Sequence, residues 1–272
     1  MGNITRVAML QLCATSDVEA NLSCAERLAK DAAAQNAQAI FLPEAFAFLG
    51  RDQDKQLILE TLDQQGPILS RMQNLARETD AHLILGGFHE KASEGRSFNT
   101  CIHLTPDGAI AATYRKIHLF DVCLADGTEL YESRKTEPGG DVVVTQLPFG
   151  SLGLSICYDV RFPYLYQQLV DLGAIAVTVP SAFTATTGKA HWHTLLRARA
   201  IECQCYVLAP AQHGSHSATR RSFGHSVIID PWGTVIAEVS DGDGLAIADI
   251  DPGEVARVRR ELPSLTHRRT IA

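Results

Sequence analysis

Three residues of this 272-residue chain have the type and setting for amide chemistry: Cys157, Glu44 and Lys116. Cys157 closes the apolar run SLGLSIC and precedes YDVRFP, a pattern that predicts a strand end with a helix starting a few residues later. A thiol so placed is exposed at a sheet edge, where backbone N–H groups and the positive end of the next helix favour the thiolate. Glu44 follows AIFLP directly, and a carboxylate held among apolar side chains is suited to proton transfer near neutral pH. Lys116, in TYRKIHLFD, follows another strand and brings an ammonium toward the same edge. A nucleophile needs a base to take its proton and a cation to hold a developing oxyanion, and three strand ends supply one of each. Taken singly, each has an ordinary reading: an inert cysteine ending an apolar strand, or a surface charge.

Two other constellations use the same residue types. AHWH (190–193) with CQC (203–205) offers zinc ligands, but on a helix His191 and His193 are two positions apart and face different ways, which argues against a metal. A cysteine peptidase would pair Cys157 with His118, His191 or His213, and spacing alone does not decide between a histidine and a glutamate base.

Apolar runs rich in Val, Ile and Leu alternate with helical patterns. The pattern predicts strands over 4–13, 39–44, 82–90, 174–182 and 205–211. Helices are predicted from an N-cap at Asn21 to about Gln35, over 68–79 after Pro67, over 162–173 and over 190–204. TPDGA (105–109), PFGSL (148–152) and DPWG (230–233) predict hairpin turns, so antiparallel pairs are mixed with parallel ones. Sheets carrying hairpins, with helices outside them, point to two mixed sheets packed face to face between helical layers.

Composition narrows the class. With 46% apolar residues the chain can bury a large core, and no linker or repeat divides it, so one domain over 1–272 is expected. No membrane span or signal peptide is legible, and seven scattered cysteines lack a secreted disulfide pattern; the expected setting is the cytoplasm, with reduced thiols. Net charge is −7, and the arginines at 257, 259, 260, 268 and 269 read as a solvated helix and tail, so neither nucleic acid nor membrane is an expected partner.

With PEAF, YRKIHLF and CYDVRFP in this order, the chain resembles the nitrilase superfamily of carbon–nitrogen hydrolases along nearly its whole length. GGFHE (86–90), PSAFTATTGKAHW (180–192), LLRARAIECQCYV (195–207) and GHSVIIDPWGTV (224–235) are similar to the branch of deaminated glutathione amidases. The resemblance implies an αββα sandwich, homodimers or larger assemblies, and no metal or organic cofactor. It places Glu44 as base, Lys116 as cation and Cys157 as nucleophile. Glu132 falls on a second glutamate near the thiol, which orients either Lys116 or the leaving amine. Arg161 would grip a carboxylate or α-keto acid end bidentately, or else pair with Asp159; Tyr158 would add a backbone N–H, and Phe183 and Thr187 would line the mouth. The implied reaction is hydrolysis of deaminated glutathione to 2-oxoglutarate and cysteinylglycine through a thioester. Alternatives are ω-amidase action on 2-oxoglutaramate or 2-oxosuccinamate, nitrile or N-carbamoyl hydrolysis, and a non-catalytic binding protein on the same fold. Two positions depart from the family pattern: Lys189 stands where relatives commonly carry Pro or an acidic residue, and His193 where many carry Glu.

Overall fold

Side chains of strand β1 (Thr5–Gln11) alternate between two cores, which explains the layering of the whole molecule. Val7 and Met9 pack in one cluster with Leu152, Val177 and Trp192, whereas Ala8 and Leu10 pack in another with Leu22, Leu28 and Met72. A strand buried on both faces must lie between two further layers. The computed structural model describes residues 2–51, 53–64, 66–123 and 129–269.

The first sheet runs in spatial order β16 (Gly244–Ile250), β1, β2 (Ala39–Leu42), β3 (His82–Lys91), β4 (Ser97–Leu104) and β5 (Ile110–Arg115). The second runs β15 (Val235–Glu238), β14 (Val227–Ile229), β11 (Tyr206–Ala209), β10 (Ala176–Thr178), β9 (Gly150–Leu154) and β8 (Val144–Leu147). In each sheet three neighbouring strands are parallel (β1, β2 and β3; β9, β10 and β11) and the flanking pairs are antiparallel. Helices α1 (Val18–Ala34) and α2 (Pro67–Thr79) cover the outer face of the first sheet. Helices α3 (Pro163–Asp171) and α4 (Ala185–Cys203) cover the second. The result is the αββα sandwich that the family resemblance implied, with its sheets mixed as the hairpin signals predicted. A final helix, α5 (Pro252–Glu261), buries Val255 and Val258. No helix among the described residues is long and apolar enough to cross a membrane.

Several boundaries differ from the sequence reading for local reasons. Helix α1 is capped by Asp17, whose Oδ1 accepts from Ala20 N at 3.0 Å, and Asn21 is a buried residue of the first turn. Its amide instead donates to Thr15 O and Ala47 O at 2.8 and 2.9 Å, pinning the segment that follows Glu44. Strand β2 stops at Leu42, two residues before the predicted end, because Pro43 has no N–H to pair. Helix α4 starts five residues earlier than its apolar pattern suggests, from a Thr184 N-cap. Gly188 in its first turns is required by packing, since a Cβ there would lie 2.3 Å from Phe223 Cβ. Two short ribbons, β6 (Asp121–Cys123) with β7 (Glu129–Tyr131) and β12 (His213–Ser215) with β13 (Arg221–Phe223), carry no alternation long enough to read from sequence.

Candidate active site

The ends of β2, β5 and β9 meet where the two sheets face each other, and each strand end delivers one titratable side chain. Glu44 leaves the sheet after Pro43, and Ala45 turns the chain with a φ of 57°. The carboxylate is fixed at both oxygens: Oε1 accepts from Asn99 Nδ2 at 2.9 Å and Lys116 Nζ at 3.1 Å, and Oε2 accepts from Ala182 N at 2.9 Å. Gly87, in a bulge of β3, permits this approach. Its φ is +77°, and a Cβ would lie 2.8 Å from both Glu44 Cγ and Ala45 N.

Lys116 is 2% exposed and follows β5 directly. Its Nζ donates to Glu132 Oε2 at 2.8 Å as well as to Glu44. Burial opposes the ammonium, but Glu132 and then Glu44 outweigh it and hold the group well above the ordinary lysine range. Burial likewise opposes the Glu132 carboxylate, yet Lys116 and Asn99 overcome it and hold Glu132 below the usual carboxylate range. Glu132 is further fixed by Phe120 N, 2.7 Å from Oε2. Asn99 is a site residue that the sequence reading misses. Its Nδ2 donates to both Glu44 Oε1 and Glu132 Oε1 at 2.9 Å, while its Oδ1 is buried without a partner. An amide with its oxygen toward two carboxylates would be repelled, so this orientation is the one electrostatics selects. The available signal is an Asn inside the apolar strand SFNTCIHL.

Cys157 stands at the start of the single turn Cys157–Arg161, in the left-handed region with a φ of 48°. For a non-glycine residue that conformation is uncommon, and such residues concentrate where a side chain must be presented rather than packed. Its N–H donates to Pro180 O at 3.0 Å, which anchors the turn to the end of β10. The thiol is 7% exposed, less open than the sequence reading implied. Burial first, and the Glu44 carboxylate second, push its pKa above the ordinary cysteine value, with Lys116 offsetting part of the rise. The expected thiolate-favouring setting is therefore corrected: burial and the neighbouring Glu44 carboxylate favour the neutral thiol, with a carboxylate close by as a proton acceptor.

Asp159, wholly buried below this turn, accepts from Ile156 N at 2.8 Å, Tyr114 Oη at 2.7 Å, and His118 at both its backbone N and ring Nδ1, at 3.1 and 2.7 Å. Two alternatives fall with it. Asp159 has no capacity left to pair Arg161, and His118, also stacked on Phe162 at 3.7 Å, is committed to Asp159 and not to the thiol. His213 is paired with Asp243 at 2.8 Å, and His191 lies near Arg161, so none of the three candidate histidines is a partner of Cys157. The AHWH and CQC ligands do not converge either, since Cys203 and Cys205 are buried in the core and His191 is exposed.

Two cavities meet at Cys157. The smaller is lined by Phe120, Tyr158, Arg161, Ala182, Phe183 and Thr187, which gathers all four predicted substrate-binding residues. Arg161 lies over the Phe183 and Tyr158 rings at 5.2 and 5.8 Å, and among the described residues no carboxylate pairs with it. The larger cavity is an open cleft lined by Glu44, Lys116, Glu132 and Cys157. Lys55, His89 and Arg220 line it as well. Lys189 is exposed on α4, His193 is turned toward Glu238, and neither lines either cavity.

Residues 6–260 match the carbon-nitrogen hydrolase family. A human deaminated glutathione amidase is 45% identical over 269 residues, covering 97% of this chain and 82% of the relative. The crystal structure of the Caenorhabditis elegans NitFhit protein superposes with a TM-score of 0.92 at 39% identity, covering 99% of this chain and 66% of that one. An amidase from Nesterenkonia is 25% identical with a TM-score of 0.79, and 97% of each chain is covered; a mutant form of it was solved with the acetamide moiety of fluoroacetamide covalently added at the active-site cysteine.

Proposed function

This chain belongs to the carbon–nitrogen hydrolase family, and from that premise we propose that it hydrolyses deaminated glutathione, releasing cysteinylglycine and 2-oxoglutarate, with Cys157 as nucleophile. The observation that carries the choice of substrate is that each of the two cavities sharing Cys157 is lined by an arginine, Arg161 in one and Arg220 in the other. Arg161 suits an α-keto carboxylate, and Arg220 suits the second carboxylate at the far end of a leaving dipeptide. A substrate that releases only ammonia has nothing to place in the larger cleft.

In this reading Glu44 takes the thiol proton as sulfur attacks the amide carbon. The oxyanion that forms is held by Lys116 Nζ and a backbone N–H at Tyr158, where one such donor contributes on the order of 3 kcal/mol. The protonated Glu44 returns its proton to the amide nitrogen, the C–N bond breaks, and cysteinylglycine leaves a thioester on Cys157. Water, deprotonated by the same carboxylate, attacks the thioester; the collapsing adduct expels the sulfur, which regains its proton, and 2-oxoglutarate departs. Glu132 and Asn99 position Lys116 and Glu44, a role supported by their shared hydrogen bonds. We place the protein in a reducing, cytoplasmic setting, as a single-domain chain assembling into homodimers or larger oligomers.

Rapid acid quenching during turnover followed by mass spectrometry tests the covalent step. The expected result is a 2-oxoglutaryl adduct on the peptide bearing Cys157 and none on Cys157→Ala. A burst-free wild type with no adduct, while product accumulates, would overturn the thioester route.

A further inference from the structure

We infer that His193, His225 and Glu238 form a divalent transition-metal site on the outer face of the second sheet, apart from the thiol site. The three come from separate elements: α4, the turn before β14, and the end of β15. His193 Nε2 and His225 Nδ1 stand 2.9 and 2.6 Å from the same oxygen, Glu238 Oε1, and one ligand atom from each residue lies within 4.8 Å of the others. Among the described residues this is the one group of three or more His, Cys, Asp or Glu that converges in this way.

The donor set is that of an open zinc site, two imidazoles and a carboxylate, and imidazole-rich sets also take nickel, copper and cobalt. Metal–ligand bonds of about 2.0–2.1 Å in tetrahedral array separate ligand atoms by about 3.3 Å. The two spacings to Glu238 are hydrogen-bond lengths and the two imidazoles offer ligand atoms within 4.8 Å of each other, so loading requires side-chain rotations and displacement of the protons now directed at Glu238. The rings are already disposed for it. His225 is held at a φ of 60° and stacks on Phe223 at 4.3 Å, while the His193 ring stands at 74° to that of His225 with centroids 5.4 Å apart. Both histidines are half-buried and Glu238 is exposed, so a hydrated ion can enter and keep water in its remaining position.

The site would act as a clamp. Bound metal would tie α4 to the β14–β15 hairpin directly behind Trp192. The indole N–H of Trp192 donates to His225 O at 2.8 Å, and its ring packs at 5.0 Å on Phe183, which lines the substrate wall.

Cobalt(II) titration of the chelator-stripped full chain, followed by visible absorption, tests the site. Ligation by nitrogen and oxygen lacks the near-ultraviolet charge-transfer band of thiolate ligation, so binding at any of the seven cysteines is distinguished. One equivalent should bind without that band, with affinity falling at least tenfold in both His193→Gln and Glu238→Ala. Zinc should raise the melting temperature of wild type but not of either variant. His193→Gln retains a hydrogen-bonding group toward Glu238, so it reads ligation and not folding. Absence of this binding mode in wild type, or wild-type affinity in both variants, would overturn the site.

Discussion

Glu44 Oε1 lies 3.1 Å from Lys116 Nζ with both side chains buried, so the carboxylate proposed as base works beside a fixed cation. The same carboxylate raises the pKa of Cys157. Glu44→Gln keeps the shape and removes the charge. Its thiol should alkylate with a pH profile shifted to lower pH than wild type, while kcat falls by roughly 10²–10⁴-fold. Iodoacetamide kinetics against pH check this; an unchanged profile would detach Glu44 from the thiol.

Cys157→Ala should fold as wild type does and lie within about 1 kcal/mol of its stability, because a buried cluster of charges around a thiol is rarely compensated in full. Urea unfolding measures it. A loss of several kcal/mol would assign Cys157 to the core instead of the site.

Arg161→Ala should lower kcat/KM for keto-acid amides by about 10–100-fold, the worth of a charge-assisted carboxylate contact. Arg161→Lys should restore little, since a lysine cannot make the bidentate fork. Full activity in the lysine variant would argue for simple charge attraction.

Much of this site is legible because its residues end apolar strands. Glu44 and Cys157 each follow a buried run and Lys116 directly follows β5, and strand ends are where a sheet exposes side chains to a common edge. What stays hidden depends on contacts between distant segments. Asn99 sits mid-strand and becomes a bridge only when β4 lies beside the Glu44 turn. Arg220 reaches the cleft on a ribbon of two three-residue strands, too short for any alternation. His193 faces away from its neighbour His191, as the helical spacing implied, yet finds His225 and Glu238 through sheet pairing that no local spacing encodes. The misplaced N-cap has a similar cause: Asn21 is polar for the sake of Thr15 and Ala47, and the helix start is already served by Asp17.

His216 gives the fold an acid limit. Its Nδ1–H donates to Ala14 O at 2.7 Å and its Nε2 accepts from Ser222 Oγ at 2.8 Å, so both ring nitrogens are committed to the neutral form. Burial lowers its pKa to about 4. A depressed folded pKa means the contribution is fully present above the unfolded value near 6.5 and is lost as pH falls from there toward 4, up to about 3 kcal/mol. Urea midpoints measured from pH 7 to pH 4 should decline less steeply in His216→Gln than in wild type. Parallel declines would mean another group sets the limit.

The central claim is tested most directly by steady-state hydrolysis of deaminated glutathione beside 2-oxoglutaramate, in wild type, Cys157→Ala and Arg220→Ala. We predict a kcat/KM at least about tenfold higher for the dipeptide-bearing substrate, equivalent to about 1.4 kcal/mol of transition-state preference, no turnover by Cys157→Ala, and a preference that shrinks in Arg220→Ala. Preference for 2-oxoglutaramate would make the enzyme an ω-amidase, and equal rates in wild type and Cys157→Ala would contradict the thiol mechanism altogether.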